Sequence, residues 1–361
     1  MSPFGPRKVP TRIRRKQYPP REEPQATEVE VKKKKRDRWG KVIETKMSSA
    51  IQYSPEACRD YPSIVKQCEK GGFQFRWVIS DRLLPGPHHY NPGLIERVDG
   101  LWMAYRDQDE HRDSRIGICR LAGDEVHPEE NREVKLPDHF GRLEQREDPR
   151  LFWFRGEVWM NYVAWNRKRC AAMAIVRLSE DWEVIEELTT TWGSNWDLNV
   201  FQKNWAFFDR PEGLTMIYYV SPAHEVVRVD EVGRGTDHIR EKGVQWAWGL
   251  PRGGTPPVLV EGLYWTFFHS RLFTSGHRFR YFAGAYAFSP EQPFTPVKMT
   301  GRPLFAASDE DPNISTLPLA VFPCGAVHRS GEWWVSIGVN DTRCAIVRVG
   351  HQELLKRMVP C

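Results

Sequence analysis

The chain has 361 residues, 40% of them hydrophobic and 12% aromatic, enough apolar material for one large domain or two. No apolar run approaches the length of a helical membrane span, which excludes a helical membrane protein, and no early stretch has the apolar core of a secretory leader. The net charge of +5 is uneven: residues 1–46 hold 15 Lys or Arg against 6 Asp or Glu, a net of +9, which leaves −4 for the rest.

Residues 1–46 therefore read as a basic arm, flexible or extended. Pro3, Pro6, Pro10, Pro19, Pro20 and Pro24 interrupt it, and Lys32 to Arg36 is an unbroken basic run with too little apolar content to fold alone. An acidic partner, nucleic acid or a membrane surface, is the functional reading of such an arm, and a solvated tail is the plain one. Residues 47–86 form a lead-in. Within it Tyr53 to Lys70 is short helix or irregular chain, and Phe73 to Ile79 alternates as a strand able to close a ring.

From residue 87 onward one layout recurs: a strand led by a polar residue and often proline, a glycine turn, then an aromatic strand ending in polar residues. The copies run from Asn91-Pro92, Asp148-Pro149, Asn204-Trp205, Thr255-Pro256 and Phe322-Pro323, through Gly100, Gly156, Gly213, Gly262 and Gly331. Those glycines are 56, 57, 49 and 69 residues apart, close to what one four-stranded propeller blade occupies. Five copies predict an all-β, five-bladed β-propeller over residues 87–361. A ring is the physical solution because a single blade cannot cover its own apolar faces, whereas radial neighbours cover both. Ser114 to Arg120, Cys170 to Arg177 and Arg343 to Arg348 alternate as third strands. The stretch from His224 to Gly254 is longer than its counterparts and reads as a loop or lid over the funnel.

If the first strand of each copy is innermost, Asn91, Asp148, Asn204, Thr255 and Phe322 face the axis, and four of these five are polar. A binding site is the functional reading; turn chemistry of Asn, Asp and Thr beside proline is the structural one. Asp148 also lies between Arg146 and Arg150, which fits an ion pair between blades, a structural role that suits its neighbour Glu147 in any case. The seven cysteines include no C-x-x-C pair, so a zinc or redox site is not expected. Cys119, Cys170 and Cys344 sit in alternating apolar strands as core residues, and a reducing, cytoplasmic setting fits.

Asn91-Pro92 with Tyr105-Arg106, Glu147-Asp148-Pro149-Arg150, Lys203-Asn204, Gly253-Gly254-Thr255-Pro256-Pro257 with His269, and Phe322-Pro323-Cys324-Gly325 with Asp341 follow one another in order. This series resembles the motifs of glycoside hydrolase family 130, five-bladed propellers that cleave β-mannosides with phosphate, invert the anomeric centre and release mannose 1-phosphate. Relatives are hydrolases or mannosyltransferases. The resemblance implies Asp148 as proton donor, acting through a sugar hydroxyl, and Asn91, Arg106, Asn204, Thr255 and Asp341 as mannosyl-binding residues. It implies a phosphate cradle of Lys203, His269 and Tyr281 with one of Asn166, Arg167 and Lys168. No metal or organic cofactor is implied; inorganic phosphate is the co-substrate. Trp165, Trp205 or Trp248 offers a stacking face for sugar. The third motif, Lys203 to Phe208, lacks a proline expected shortly after it.

On chemistry alone, an inverting displacement needs an acid for the departing oxygen and a nucleophile on the opposite face. A hydrolase needs a second carboxylate to activate water, for which Glu144, Glu147 or a residue of the long loop is the candidate. Phosphate is already anionic and needs only cations. A propeller that binds glycan or protein without catalysis is the reading from another class.

Overall fold

The computed structural model describes residues 73, 75–111, 113–122, 127–141, 144–166, 170–195, 197, 201–274, 278–307 and 319–361, with two short strands at 33–36 and 42–45. Residues 1–50 and 51–361 form separate compact units. In the first, Lys33–Arg36 pairs antiparallel with Val42–Thr45, an element the arm's composition did not lead one to expect. The lead-in from Tyr53 to Lys70 lies outside the described residues.

In the second unit five sheets take the five blade positions. Blade one is His88–Arg97, Gly100–Gln108, Ser114–Ala122 and His127–Glu133; blade two is Glu144–Phe154, Glu157–Asn166, Cys170–Leu178 and Val184–Leu188. Blade three is Ala206–Phe208, Thr215–Tyr219, Ala223–Val229 and Gly235–Lys242. Blade four is larger, with seven strands built around Leu263–Thr274 and Arg278–Phe288. Blade five is Val321–Arg329, Glu332–Val339 and Arg343–Gly350, and its outermost strand is Phe75–Trp77, from the other end of the unit. Pairing of Trp77 with Ala345 and of Phe75 with Val347 closes the ring as the alternation in Phe73 to Ile79 predicts.

Local chemistry explains the hairpins inside the blades. Arg155-Gly156, Glu261-Gly262 and Ser330-Gly331 all have positive φ at both residues. That is the two-residue turn whose twist matches paired strands, and glycine at its second position carries no Cβ penalty. The connection expected to be a lid is not one: residues 224–254 contain the two outer strands of blade three and Leu250–Arg252 of blade four. Of its four glycines, Gly233 turns between the two outer strands of blade three, and Gly235, Gly243 and Gly249 sit where a Cβ would meet Trp192, Pro222 and Arg271.

The apolar faces meet in the junctions between blades. Ile95, Trp102 and Ile118 of blade one pack with Leu151, Met160 and Ala174 of blade two, while Phe152 and Met173 pack with Phe207 and Met216 of blade three. A larger cluster joins blades three, four and five, and Met103, Tyr105 and Cys119 meet Trp334, Cys344 and Ile346 where blade five returns to blade one. Each wedge hides surface that its own blade leaves open, which is why the stability of any blade depends on its neighbours. Cys119 and Cys344 are buried free thiols in that last wedge. Among the described residues, no helix is long and apolar enough to cross a membrane.

Candidate functional site at the centre of the ring

The inner strands are interrupted at the positions singled out by the repeat. Asn91, Asp148 and Asn204 have φ of 51°, 53° and 67°, a left-handed backbone that non-glycine residues seldom adopt and that Asn and Asp tolerate best. The ladder slips at the same places, between Tyr90 and Gly93 and between Glu147 and Arg150, where the following proline has no N–H to donate. A bulge of this kind redirects one side chain out of the strand's alternation. Asn91 and Asp148 are thereby brought together across two blades, and Asn91 Nδ2 donates to Asp148 Oδ1 at 2.7 Å. The other oxygen of Asp148 has no side-chain or backbone partner among the described residues. Gly338 of blade five closes over this pair: a Cβ there would stand 2.0 Å from Asn91 Oδ1.

One residue earlier, Glu147 is buried and takes two cations. Arg106 contacts one carboxylate oxygen at 2.9 Å and Lys203 Nζ the other at 2.8 Å. Burial by itself pushes Glu147 up, but Arg106 and Lys203 together hold it below the usual range. Burial likewise works against the charge of Lys203, and Glu147 more than restores it. Arg106 also lies 4.7 Å from the centre of the Tyr90 ring, and Lys203 Nζ 5.4 Å from that of Trp165. Asp341 is open to the funnel yet ringed by protein. Lost solvation pushes its carboxyl up to about 6; Arg106 opposes the rise, and Asp148 and Glu147 add to it.

Arg150, fully buried, ties the centre to blades three and four. Its Nε donates to Gly254 O at 2.7 Å, one terminal nitrogen to Asp148 O at 3.1 Å and the other to Asn204 Oδ1 at 3.4 Å. Its guanidinium lies 5.6 Å from the centre of the Phe322 ring, which in turn is 4.1 Å from His269. His269 stacks on Tyr281 at 6.2 Å. Burial, then Arg252 and Arg150, hold His269 well below the ordinary imidazole range, so it is neutral near pH 7.

Asn91, Arg106, Asp148, Lys203, Asn204, His269 and Asp341, spread over 251 positions of sequence, are thus linked around one centre by contacts or electrostatic coupling. Tyr281 joins through His269. Two expectations need correction. Thr255 is fully buried, with its hydroxyl accepting the Phe267 N–H at 3.0 Å and its carbonyl accepting Thr266 Oγ1 at 2.6 Å, so it braces blade four instead of facing sugar. Trp205 and Trp248 are core residues, which leaves Trp165, half-buried beside Lys203, as the aromatic face of the three. The structural ion pairing falls to Glu147, as its place beside Asp148 suggests. Asn166 ends the second strand of blade two opposite Glu144, and Arg167 and Lys168 lie outside the described residues.

Glu144 Oε2 accepts the backbone N–H groups of His139 and Phe140, at 2.5 and 2.8 Å, and its buried Oε1 has no hydrogen-bond partner among the described residues. The sequence reading missed a role for Arg150, although it stands inside the Asp148 motif, and missed Arg252 and Arg271 altogether. The available signal for the last two was register: Arg252 pairs with His269 across the ladder, and Arg271 with Tyr281.

No family model and no curated protein matches this chain in sequence. Solved structures match it in fold. One belongs to the GH130 family of mannoside phosphorylases, which contains glycoside hydrolases that target β-1,2-mannosidic linkages in Candida mannan; it is 18% identical, with a TM-score of 0.57 over 74% of this chain and 85% of that one. A β-1,2-mannobiose phosphorylase from Listeria innocua, in complex with β-1,2-mannobiose, is 16% identical, with a TM-score of 0.56 over 79% and 93%. A mannose phosphorylase from Leishmania mexicana, in complex with phosphate ion, is 14% identical, with a TM-score of 0.55 over 85% and 97%. At these identities the likeness establishes a fold shared with family 130 proteins.

Proposed function

We propose that this chain is a carbohydrate-active enzyme that cleaves β-mannosides, or makes them in reverse, with phosphate as the nucleophile. The observation that carries the reading is the division of labour among the central carboxylates. Asp148 is held by an amide and keeps one oxygen unpartnered, whereas Glu147 has both oxygens occupied, by Arg106 and Lys203. Glu147, one of the glutamates named as hydrolytic bases, is thereby taken up by cations, while Glu144 sits against the His139–Phe140 backbone. Phosphate needs no such base. In the reaction a phosphate oxygen bonds to C1 as the bond from C1 to the departing oxygen breaks, and the proton from Asp148 ends on that oxygen, directly or relayed through a sugar hydroxyl. Arg106 and Asn91 orient the mannosyl ring, and Lys203, His269 and Tyr281 lie on the side where the anion enters. The fold shared with two phosphorylases supports this assignment.

One observation favours hydrolysis as the second reading. Asp341, pushed up to about 6, has the proton affinity of a competent general base near neutral pH. Product analysis on β-1,2-mannobiose separates the two. Mannose 1-phosphate formed only when phosphate is supplied is the expected result; free mannose at an equal rate with and without phosphate would replace phosphorolysis by hydrolysis.

A further inference from the structure

The hairpins between the third and fourth strands of blades two, three and four use one kind of turn. In blade two Ser179 N–H donates to Glu183 O at 2.8 Å and Trp182 N–H to Ser179 O at 3.1 Å. In blade three Asp230 N–H donates to Arg234 O at 2.8 Å and Gly233 N–H to Asp230 O at 3.0 Å, and in blade four Phe294 N–H donates to Glu291 O at 2.8 Å. The matching residues Trp182, Gly233 and Phe294 all have positive φ, of 67°, 83° and 62°. Trp182 and Phe294 are buried in the wedge shared with the preceding blade, each under an arginine of that blade. Arg97 lies 4.8 Å from the Trp182 ring and Arg210 4.5 Å from that of Phe294. These arginines stand six residues beyond the axial Asn91 and Asn204; six beyond Asp148 is Phe154. Between blades two and three, then, phenylalanine replaces the arginine and glycine replaces the ring.

That wedge stays open at the end away from Asp148, as a cleft of about 570 Å³. No side chain at 233 closes it, since a Cβ there would stand 2.1 Å from Thr189 O. Phe154, Trp159, Leu188, Leu214 and Val229 line it, the lower end of the apolar cluster between the two blades. Trp102 of blade one packs on Trp182 at 4.7 Å and donates its indole N–H to Asp99 Oδ1. Trp159, in the same place of blade two, meets Phe154 edge-on at 5.8 Å, and its buried Nε1 has no acceptor among the described residues.

The walls select the class of ligand. Three arginines and five carboxylates line the cleft, an excess of negative charge that disfavours an anion. Each arginine is matched: Arg155 with Glu231, Arg177 with Glu157 and Glu186, Arg228 with Asp237. Such pairs set donors and acceptors side by side next to apolar surface. A neutral polyol suits them, because its hydroxyls both donate and accept while its C–H face lies on an aromatic ring. We propose that the cleft between blades two and three is a second saccharide site, holding one pyranose ring of a neutral glycan on Phe154 beside Trp159. The sugar takes the place that Trp182 and Phe294 fill in the neighbouring wedges. Six residues of strand put the site about 20 Å from Asp148, and it does not depend on which nucleophile is used at the ring centre.

The test is NMR titration of the full chain with its tryptophans isotope-labelled at the indole nitrogen. Trp159 reports the cleft and Trp165, beside Lys203, the funnel; Trp159→Phe and Trp165→Phe identify the two signals. β-1,2-Mannobiose and cellobiose are the neutral probes, and mannose 1-phosphate is the anionic one. At least one neutral disaccharide is expected to shift the Trp159 signal saturably, and mannose 1-phosphate to leave it in place. Thr236 lines the cleft from an exposed position, so Thr236→Phe sets a ring in its mouth without touching the core. This variant is expected to abolish the response of Trp159 and to leave that of Trp165. Phe154→Ala is expected to weaken the sugar by about fivefold. A Trp159 signal that neither neutral sugar moves, or that mannose 1-phosphate moves as strongly, overturns the proposal. Loss of both signals' responses in Thr236→Phe traces the shift to the funnel and also overturns it. So does a Trp159 signal that moves with protein concentration alone, which assigns the cleft to a second copy of the chain.

Discussion

Asp148 and Asp341 illustrate how two carboxyls of one type are set to different tasks by their surroundings. Asp148 is oriented by the Asn91 amide, and a positioned acid typically contributes about 10²–10⁴-fold to rate. Asp148→Asn is accordingly expected to lower kcat by about that factor while mannoside affinity, read by calorimetry, stays within a few-fold; full activity in the variant would remove Asp148 from the mechanism. For Asp341 the fold raises the proton affinity, to about 6 against about 4 for an unfolded aspartate. The folded state therefore binds a proton more tightly than the unfolded state between those values. The contribution of this group is complete below about pH 4 and is lost as pH rises through 6. Asp341→Asn should match the parent in thermal stability near pH 4 and exceed it above pH 6. Parallel melting curves across that range would refute the raised proton affinity of Asp341.

At the level of elements, the site depends on a bulge in the inner strand more than on any loop. Proline after Asn91 and Asp148 interrupts the ladder, and the left-handed residue before it swings its side chain to the axis. Blade five must leave room for this, which is the role of Gly338 against Asn91. Gly338→Ala is expected to cost about 1–3 kcal/mol of stability, the range for forcing an extra methyl into packed surroundings. It should also reduce turnover, because the displaced atom would be the amide oxygen of the residue that positions Asp148. Urea unfolding and steady-state rates check both parts; a variant equal to the parent in each would show that the blades can move apart there at little cost.

For the whole molecule, closure of the ring sets the geometry of everything at its centre. The Phe75–Trp77 strand pairs with the third strand of blade five, Val78 N–H donates to Cys344 O at 3.0 Å, and Phe73 packs edge-on to Phe305 at 6.0 Å. A chain beginning at Ile79 loses these aromatic contacts, each fully buried ring being worth about 1.5–3 kcal/mol. It is expected to be less stable by about 3 kcal/mol or more and to bind mannoside more weakly, since the wedge between blades five and one positions Asn91 and Asp341. An unaltered melting temperature would show that the closing strand is dispensable.

How much of this was legible before any coordinates is clearest residue by residue. The repeat of turn glycines and aromatic strands determined the number of blades, the inner strands, the third strands and the closing strand, because hairpin chemistry and period-two alternation are local properties that neighbours in sequence decide. It also brought forward Asn204, and Asn91 and Asp148, whose side-chain type and following proline already suit a bulge. Partnership was decided elsewhere. That Glu147 takes Arg106 and Lys203, that Asp148 is left to an amide, that Thr255 turns inward and that Arg252 and Arg271 share a face with His269 all depend on which blades adjoin and in what register. Electrostatic energy falls with distance in space and takes no account of distance along the chain, so only the closed ring could assign each charge its neighbour.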